Sequence, residues 1–290
     1  MARAILSPAE DPNAPPELGP REFDQIRKLM ERETGVHLTE AKGALVMARL
    51  GRRLRELRLR SYREYLAHLS ANPKRETVEF VDRLLTNETR LFREAWQFDY
   101  LEQAIIPQWR KDASPSLDRG LKVWSAACST GEEPASIAAV LDHRFPSSEG
   151  YRVSILATDL SSRALASARM VTFPIARAKE IPAAYARHFE EVGSDRIRLS
   201  PSATRLIQFE AMNLMAPRVP SSHFDLVLCR NVLIYFTRET KRLVIDNMWR
   251  ALKPGGYLFV GHAESLVGVI EGQRPVKPAV YRKPPVGDRK

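Results

Sequence analysis

Cysteine is nearly absent from this chain. Cys128 and Cys229 are the only two in 290 residues, too few and too far apart for a disulfide framework or a cysteine-based metal site, and no metal is expected. Long apolar runs are missing too. Nothing approaches the roughly 20 consecutive apolar residues that a membrane helix needs, so membrane insertion is not expected. The first twenty residues carry prolines at 8, 12, 15, 16 and 20 and lack the apolar centre of a signal peptide. They read as a flexible leader, 1–20. With no export signal and so little cysteine, a reducing, cytoplasmic setting is the simplest inference, and the glycosylation-like Asn87-Glu88-Thr89 carries no meaning there. Acids are in deficit as well: 45 Lys and Arg against 35 Asp and Glu leave a net charge of +10. That implies an acidic partner and leaves nucleic acid, anionic lipid and acidic protein surfaces all open.

What is present is a globular composition, 44% apolar, on a length suited to about two domains. Residues 21 to about 85 show helical spacing and no strand-like alternation: Phe23, Ile26, Leu29 and Met30 recur on one face, then Val46, Leu50, Leu54 and Leu57 on another. A helical N-terminal domain over 21–86 follows. Between 49 and 60 stand six arginines and one acid, Glu56. On a helix, Arg49, Arg53 and Arg60 flank the Leu50–Leu54–Leu57 stripe, and Arg52, Arg55 and Arg58 cover the rest. The run is either a solvated face or a binding surface. Having no aromatic residues, it lacks the stacking platforms of a single-strand nucleic-acid site. A longer helix is predicted over 87–110, with Leu91, Ala95, Phe98, Leu101 and Ile105 on one face and Thr86 or Asn87 as N-cap.

After residue 120 strands alternate with helices. Strands are predicted at 121–125, 153–158, 205–210, 224–229 and 257–261, with a last one near 279–281, and helices at 134–143, 161–169 and 239–252. This is an α/β pattern of the doubly wound kind. Residues 170–204 break it, with a helix-like piece at 183–190, a strand at Arg196–Leu199 and a turn at Ser200-Pro201-Ser202. A small insertion with a hairpin or three-stranded sheet is expected there.

The first strand runs into Ser125-Ala126-Ala127-Cys128-Ser129-Thr130-Gly131-Glu132-Glu133-Pro134. A pyrophosphate at this turn would want bare amides, and Glu132 and Glu133 would repel it; no Lys-Ser or Lys-Thr follows the glycine, so this is not a P-loop. A sulfonium or ammonium ligand would welcome carboxylates, which points to S-adenosylmethionine, with Gly131 giving the close backbone approach. Equally, both glutamates could simply occupy the first turn of the next helix. Strand 153–158 ends in Asp159, placed to accept ribose hydroxyls or to cap the helix near Ser161. Strand 224–229 runs into Arg230, Asn231 and Tyr235. Val232 and Leu233 stand where base-methylating enzymes carry prolines, which counts against a DNA-base substrate.

Leu85–Glu94, Ser125–Pro134, Ala157–Leu160, Met212–Leu214 and Cys229–Phe236, in that order, resemble the chemotaxis receptor methyltransferases, the CheR family. The resemblance spans about 22–283. It implies a Rossmann-like S-adenosylmethionine methyltransferase domain over 87–290 behind the helical domain, with a β-subdomain inserted at about 170–204. It implies methylation of glutamate side chains on the cytoplasmic helical bundle of chemoreceptors, leaving S-adenosylhomocysteine. Carried over, Asn87, Thr89, Arg93, Glu133, Asp159, Asn213, Leu214, Asn231 and Val232 would bind the cofactor, and Arg49, Arg52, Arg53, Arg55 and Arg60 would meet the acidic receptor. A glutamate nucleophile is already ionised at neutral pH, so orientation matters more than proton transfer. Arg93, Arg230 and Tyr235 are the candidates for orienting it. A monomer is expected that binds no nucleic acid. A nucleic-acid methyltransferase, or a non-catalytic cofactor-binding signalling module, are the alternatives.

Overall fold

The computed structural model describes residues 16–112, 120–266, 268–269 and 275–285; most of the predicted leader, residues 1–15, lies outside them. Contacts divide the described chain into two compact units. One holds residues 16–33 and 38–84, the other Thr34–His37 and everything from Leu85 onward.

The first unit is helical: α1 (Pro20–Thr34), α2 (Gly43–Leu57), α3 (Tyr62–Ala71) and α4 (Pro73–Leu84). The predicted stripes are its core, with Ile26, Met30, Val46, Leu50 and Leu54 fully buried alongside Tyr62, Tyr65 and Phe80. Helix α2 ends at Leu57, where Arg58 turns left-handed at φ 58°. Arg60 therefore lies beyond the helix, and its amide donates to Glu64 Oε2 at 2.8 Å.

The second unit opens with an irregular stretch. The helix predicted from residue 87 begins only at Ala95: α5 (Ala95–Tyr100) passes through a π-helical turn (Leu101–Ile105) into α6 (Ile106–Asp112). Phe92 and Glu94 are left-handed, at φ 48° and 61°. The amides of Leu91 and Phe92 donate to Glu180 Oε2 and Ser136 Oγ, both at 2.9 Å. Tertiary acceptors thus replace the helical ladder, and no helix needs to cap at Thr86 or Asn87. Of the predicted face, Leu91, Phe98, Leu101 and Ile105 are buried, but Ala95 is exposed and Leu91 precedes the helix.

The sheet elements follow: β1 (Leu121–Ala126), α7 (Glu132–Arg144), β2 (Val153–Asp159), α8 (Ser162–Ala168), β3 (Thr172–Pro174), β4 (Phe189–Val192), β5 (Arg196–Leu199), α9 (Pro201–Thr204), β6 (Ile207–Ala211), β7 (Phe224–Cys229), α10 (Arg238–Ala251), β8 (Leu252–Val260) and β9 (Val280–Arg282). The main sheet runs β6-β2-β1-β7-β8-β9, parallel but for β9. Successive residues point to opposite faces: Val123, Leu226, Leu228 and Phe259 join the α7 layer, while Trp124, Val227, Cys229 and Leu258 join the α10 layer. Burial on both faces is why these strands read as near-continuous apolar runs. The insertion is an antiparallel sheet, β3-β5-β4. Its helix-like piece is a 3-10 turn, Ala183–His188, that leads into β4.

The segment Thr34–His37 belongs to this unit. Val36 bridges Phe236, and the His37 amide donates to the Tyr235 carbonyl at 2.8 Å. Among the described residues no helix is long and apolar enough to cross a membrane.

Candidate functional site

The connection from β1 leads to β2 and β6 on one side, and β7 to β9 lie on the other. The order reverses between β1 and β7, and in such sheets ligands bind outside the carboxyl ends of the strands at that point. Four pieces meet there: the β1–α7 turn, Asp159 at the end of β2, residues 230–235 after β7, and residues 261–264 after β8.

Ala127, Ser129 and Gly131 in the first turn are left-handed, at φ 65°, 52° and 98°. Its amides already have acceptors: Cys128 donates to the Thr158 carbonyl at 2.8 Å, Gly131 to the Cys128 carbonyl at 3.1 Å, and Ser129 to Asp159 Oδ2 at 2.8 Å. A phosphate would find no bare amides at these three positions. Gly131 packs closely against α8. A Cβ there would stand 3.0 Å from Ala168 Cα, so the glycine serves its left-handed φ and its packing on α8. Glu132 keeps a local role, accepting from Thr130 Oγ1 at 2.6 Å.

Asp159 is 7% exposed. Its Oδ1 accepts the Ser161 amide at 2.8 Å, but the cap of α8 is the Ser161 hydroxyl, which accepts from the Ala164 amide at 3.0 Å. Asp159 therefore ties two turns together across the crevice.

Glu133 Oε1 accepts from Ser125 Oγ at 2.7 Å, and Oε2 from Arg230 Nη1 at 3.2 Å. Burial pushes the Glu133 carboxyl up, and Arg230 and Ser125 only partly offset it. The Arg230 side chain is 2% exposed; its Nη2 lies 3.3 Å from Glu94 Oε2 and donates to the Arg93 carbonyl. Both ends of this guanidinium are engaged, because a buried cation needs buried anions and acceptors. To clasp an incoming carboxylate through Nη1 or Nη2, as the sequence suggested, Arg230 would have to exchange these partners, while its buried Nε meets none among the described residues. The Arg93 guanidinium rests on the exposed Glu88 carbonyl at 3.2 Å. Tyr235 is half-buried at the end of a 3-10 turn, Leu233–Tyr235.

The other predicted cofactor residues are held by backbone or side-chain contacts of their own. The Asn87 carbonyl accepts from Ser129 Oγ at 2.9 Å, and the Thr89 carbonyl from Arg177 Nη2 at 3.0 Å. Asn213 Oδ1 accepts the Met215 amide at 2.9 Å, while Leu214 is buried and its carbonyl accepts from Asn247 Nδ2 at 3.0 Å. Val232 is half-buried in the turn after β7. Cys128 and Cys229 are buried, and burial drives both thiols well above the usual range. They are apolar filling, as read.

Two acids at this point escaped sequence reasoning. Glu94 Oε1 accepts from Asn231 Nδ2 at 3.3 Å and from the His262 amide at 3.1 Å. Glu264, 1% exposed, takes the amides of Asn231 and Gly261 on Oε2, each at 2.7 Å, and that of Ile234 on Oε1 at 3.2 Å. Burial raises its carboxyl and the backbone donors hold it back. Asp159 directly follows its predicted strand, whereas Glu264 stands three residues past strand 257–261, so the signal used for Asp159 would find Glu264 only if extended by one short turn.

In the helical unit the arginines divide. Arg53 pairs bidentately with Glu76, Nε to Oε1 at 2.9 Å and Nη2 to Oε2 at 2.6 Å, and Arg49 donates to the Leu84 carbonyl at 2.7 Å. These two flank the buried stripe and bind inward, so the structure removes them from a receptor-facing set. Arg52, Arg55 and Arg60 are exposed.

The family described as CheR methyltransferase, all-alpha domain, matches residues 21–85, and the CheR methyltransferase, SAM binding domain, matches 87–280. A chemotaxis protein methyltransferase of Pseudomonas aeruginosa is 36% identical over 265 residues, 90% of this chain and 92% of that one. Proteins of that name from Borreliella burgdorferi and Vibrio parahaemolyticus are 31% and 34% identical, covering 90% and 87% of this chain and 94% and 91% of theirs. The helical unit, the doubly wound sheet with its small antiparallel sheet, and the acidic crevice at the sheet's switch point are those of a chain that belongs to the CheR family of S-adenosylmethionine-dependent methyltransferases.

Proposed function

We propose that this chain, acting in the cytoplasm as a monomer, methylates glutamate side chains on the cytoplasmic helical bundle of chemoreceptors, forming glutamyl methyl esters. The observation that carries the reading is the pair of nearly buried acids, Glu133 and Asp159, at a strand crevice where the amides of Cys128, Ser129 and Gly131 are already occupied. That donor set suits a cationic nucleoside and not a phosphate. The relatives, named as chemotaxis methyltransferases over most of the chain, support the same direction.

S-adenosylmethionine supplies an electrophilic methyl group on a sulfonium centre. Asp159 would hold the ribose hydroxyls and Glu133 would face the cationic end. Asn87, Thr89, Arg93, Asn213, Leu214, Asn231 and Val232 would complete the pocket. The substrate glutamate is ionised at neutral pH, so the residues around it orient it and exclude water. Tyr235 is the hydrogen-bond donor suited to that task, with Arg93 turning inward from its single exposed acceptor. Arg230, held by Glu133 and Glu94, lends positive potential without a tight grip that would lower the nucleophile's reactivity. The exposed Arg52, Arg55 and Arg60 would meet the acidic receptor surface.

The test is methyl transfer from labelled cofactor to a receptor cytoplasmic fragment. Base-labile label on glutamate is expected; base-stable label, or label on nucleic acid, would sink the reading.

A further inference from the structure

Asn231 is gripped on two sides by acids, Glu264 and Glu94, neither of which meets the cofactor in the scheme above. It sits left-handed at φ 57°, a conformation asparagine tolerates and most residues resist. Its amide nitrogen is held by Glu264 and its side-chain Nδ2 by Glu94. With Nδ2 so engaged, Oδ1 is left as the outward group, and it meets no partner among the described residues.

The Glu264 grip is built, not incidental. One buried carboxylate gathers amides from the end of β8 (Gly261) and from two points of the turn after β7 (Asn231, Ile234). Several backbone donors on one carboxylate stabilise its charged form. The space allows nothing else: a Cβ on Gly261 would lie 2.7 Å from both Glu264 Oε2 and Asn231 Nδ2, and 2.9 Å from the Asn231 amide. A turn that ended β7 without this anion would leave those amides buried and unmatched.

We propose that Glu264 is a positioning residue for methyl transfer, fixing the Asn231 turn so that Asn231 Oδ1 is the group the cofactor meets. This rests on the cofactor role proposed for Asn231. Glu264 touches neither cofactor nor substrate in this scheme and acts through Asn231 alone.

The test is a double-mutant cycle on the full chain, read by calorimetry with S-adenosylhomocysteine and by initial rates of methyl transfer. Asn231→Gly removes the side chain and keeps the left-handed backbone. Glu264→Gln keeps the shape and removes the charge, converting charge-assisted hydrogen bonds to neutral ones. It is expected to weaken binding about tenfold in the wild-type background and by about twofold or less on Asn231→Gly. Gly261→Ala, which wedges the clamp apart without touching a charge, should show the same dependence on Asn231; it replaces the glutamine variant if that one does not melt cooperatively. Equal losses in both backgrounds would show Glu264 to be a general support of the fold and overturn the proposal, as would no loss in either. If Asn231→Gly alone changes neither binding nor rate, the cofactor role of Asn231 falls and takes this proposal with it. If the wild type fails to bind S-adenosylhomocysteine, the functional reading itself is wrong.

Discussion

Asp159 joins two jobs in one carboxylate, and a substitution must separate them. Asp159→Ala should weaken cofactor binding by about 1.5–3 kcal/mol for each hydrogen bond lost to a charged group. It also strands the amides of Ser129 and Ser161, so the melting temperature of the cofactor-free protein should fall. Asp159→Asn keeps one acceptor and should recover more stability than affinity, as thermal melts beside calorimetry would show. Glu133 and Glu264 make a prediction about pH. Both carboxyls are raised by burial, so over the interval between the ordinary carboxylate range and their folded values the native state binds more protons than the unfolded one. Their ionisation therefore costs stability as pH rises through that interval. Activity needs the ionised Glu133–Arg230 pair and should fall as pH drops through the same interval, with an acid limb above that of an ordinary carboxylate. Across it, Glu264→Gln should gain melting temperature relative to wild type as pH rises. A difference that is flat with pH would mean Glu264 does not titrate there.

On helix α2, burial decides which arginine does what. Glu76 is 2% exposed by its side chain and Arg53 13%. Burial pushes the Glu76 carboxyl up, but Arg53 and Tyr65 outweigh it and leave it lowered. Arg53→Ala would abandon a buried charge and should cost about 3 kcal/mol of stability, measurable by urea denaturation. Replacing Arg52, Arg55 and Arg60 together should change stability by no more than about 0.5 kcal/mol each, yet weaken receptor methylation in a salt-sensitive way. Unchanged methylation would make the arginine run a solvated face. In the β1–α7 turn, Gly131→Ala should destabilise by about 1–3 kcal/mol, from its φ of 98° and the close approach of Ala168.

These elements also show what a sequence discloses. Periodicity exposed the α2 core stripe and the strands, because the apolar pattern is the packing. It could not show that Arg53 turns inward to Glu76, since that partner lies on another helix. It extended α5 back to residue 87, because the amides of Leu91 and Phe92 leave the helical path for acceptors, Glu180 and Ser136, that only the fold brings near. The acidic turn was legible as chemistry, while the engagement of Arg230 with Glu133 and Glu94 was not.

At the scale of the molecule, the methyltransferase unit is discontinuous, because Thr34–His37 belongs to it. The His37 amide, bonded to the Tyr235 carbonyl, should exchange with solvent at the rate of that unit and not of the helices beside it in sequence. Added S-adenosylhomocysteine should slow exchange at His37 and leave Leu50 unaffected; the reverse would place residue 37 with the helices.

The Val36–Phe236 bridge also sets an order of events during synthesis. Its two halves leave the ribosome at opposite ends of translation, so the early half must wait with its backbone unmatched until the turn after β7 arrives. Pairing so distant in sequence closes slowly. A protein lacking residues up to 85 would keep every strand of the β-sheet and lose the clasp on the turn that carries Asn231 and Tyr235.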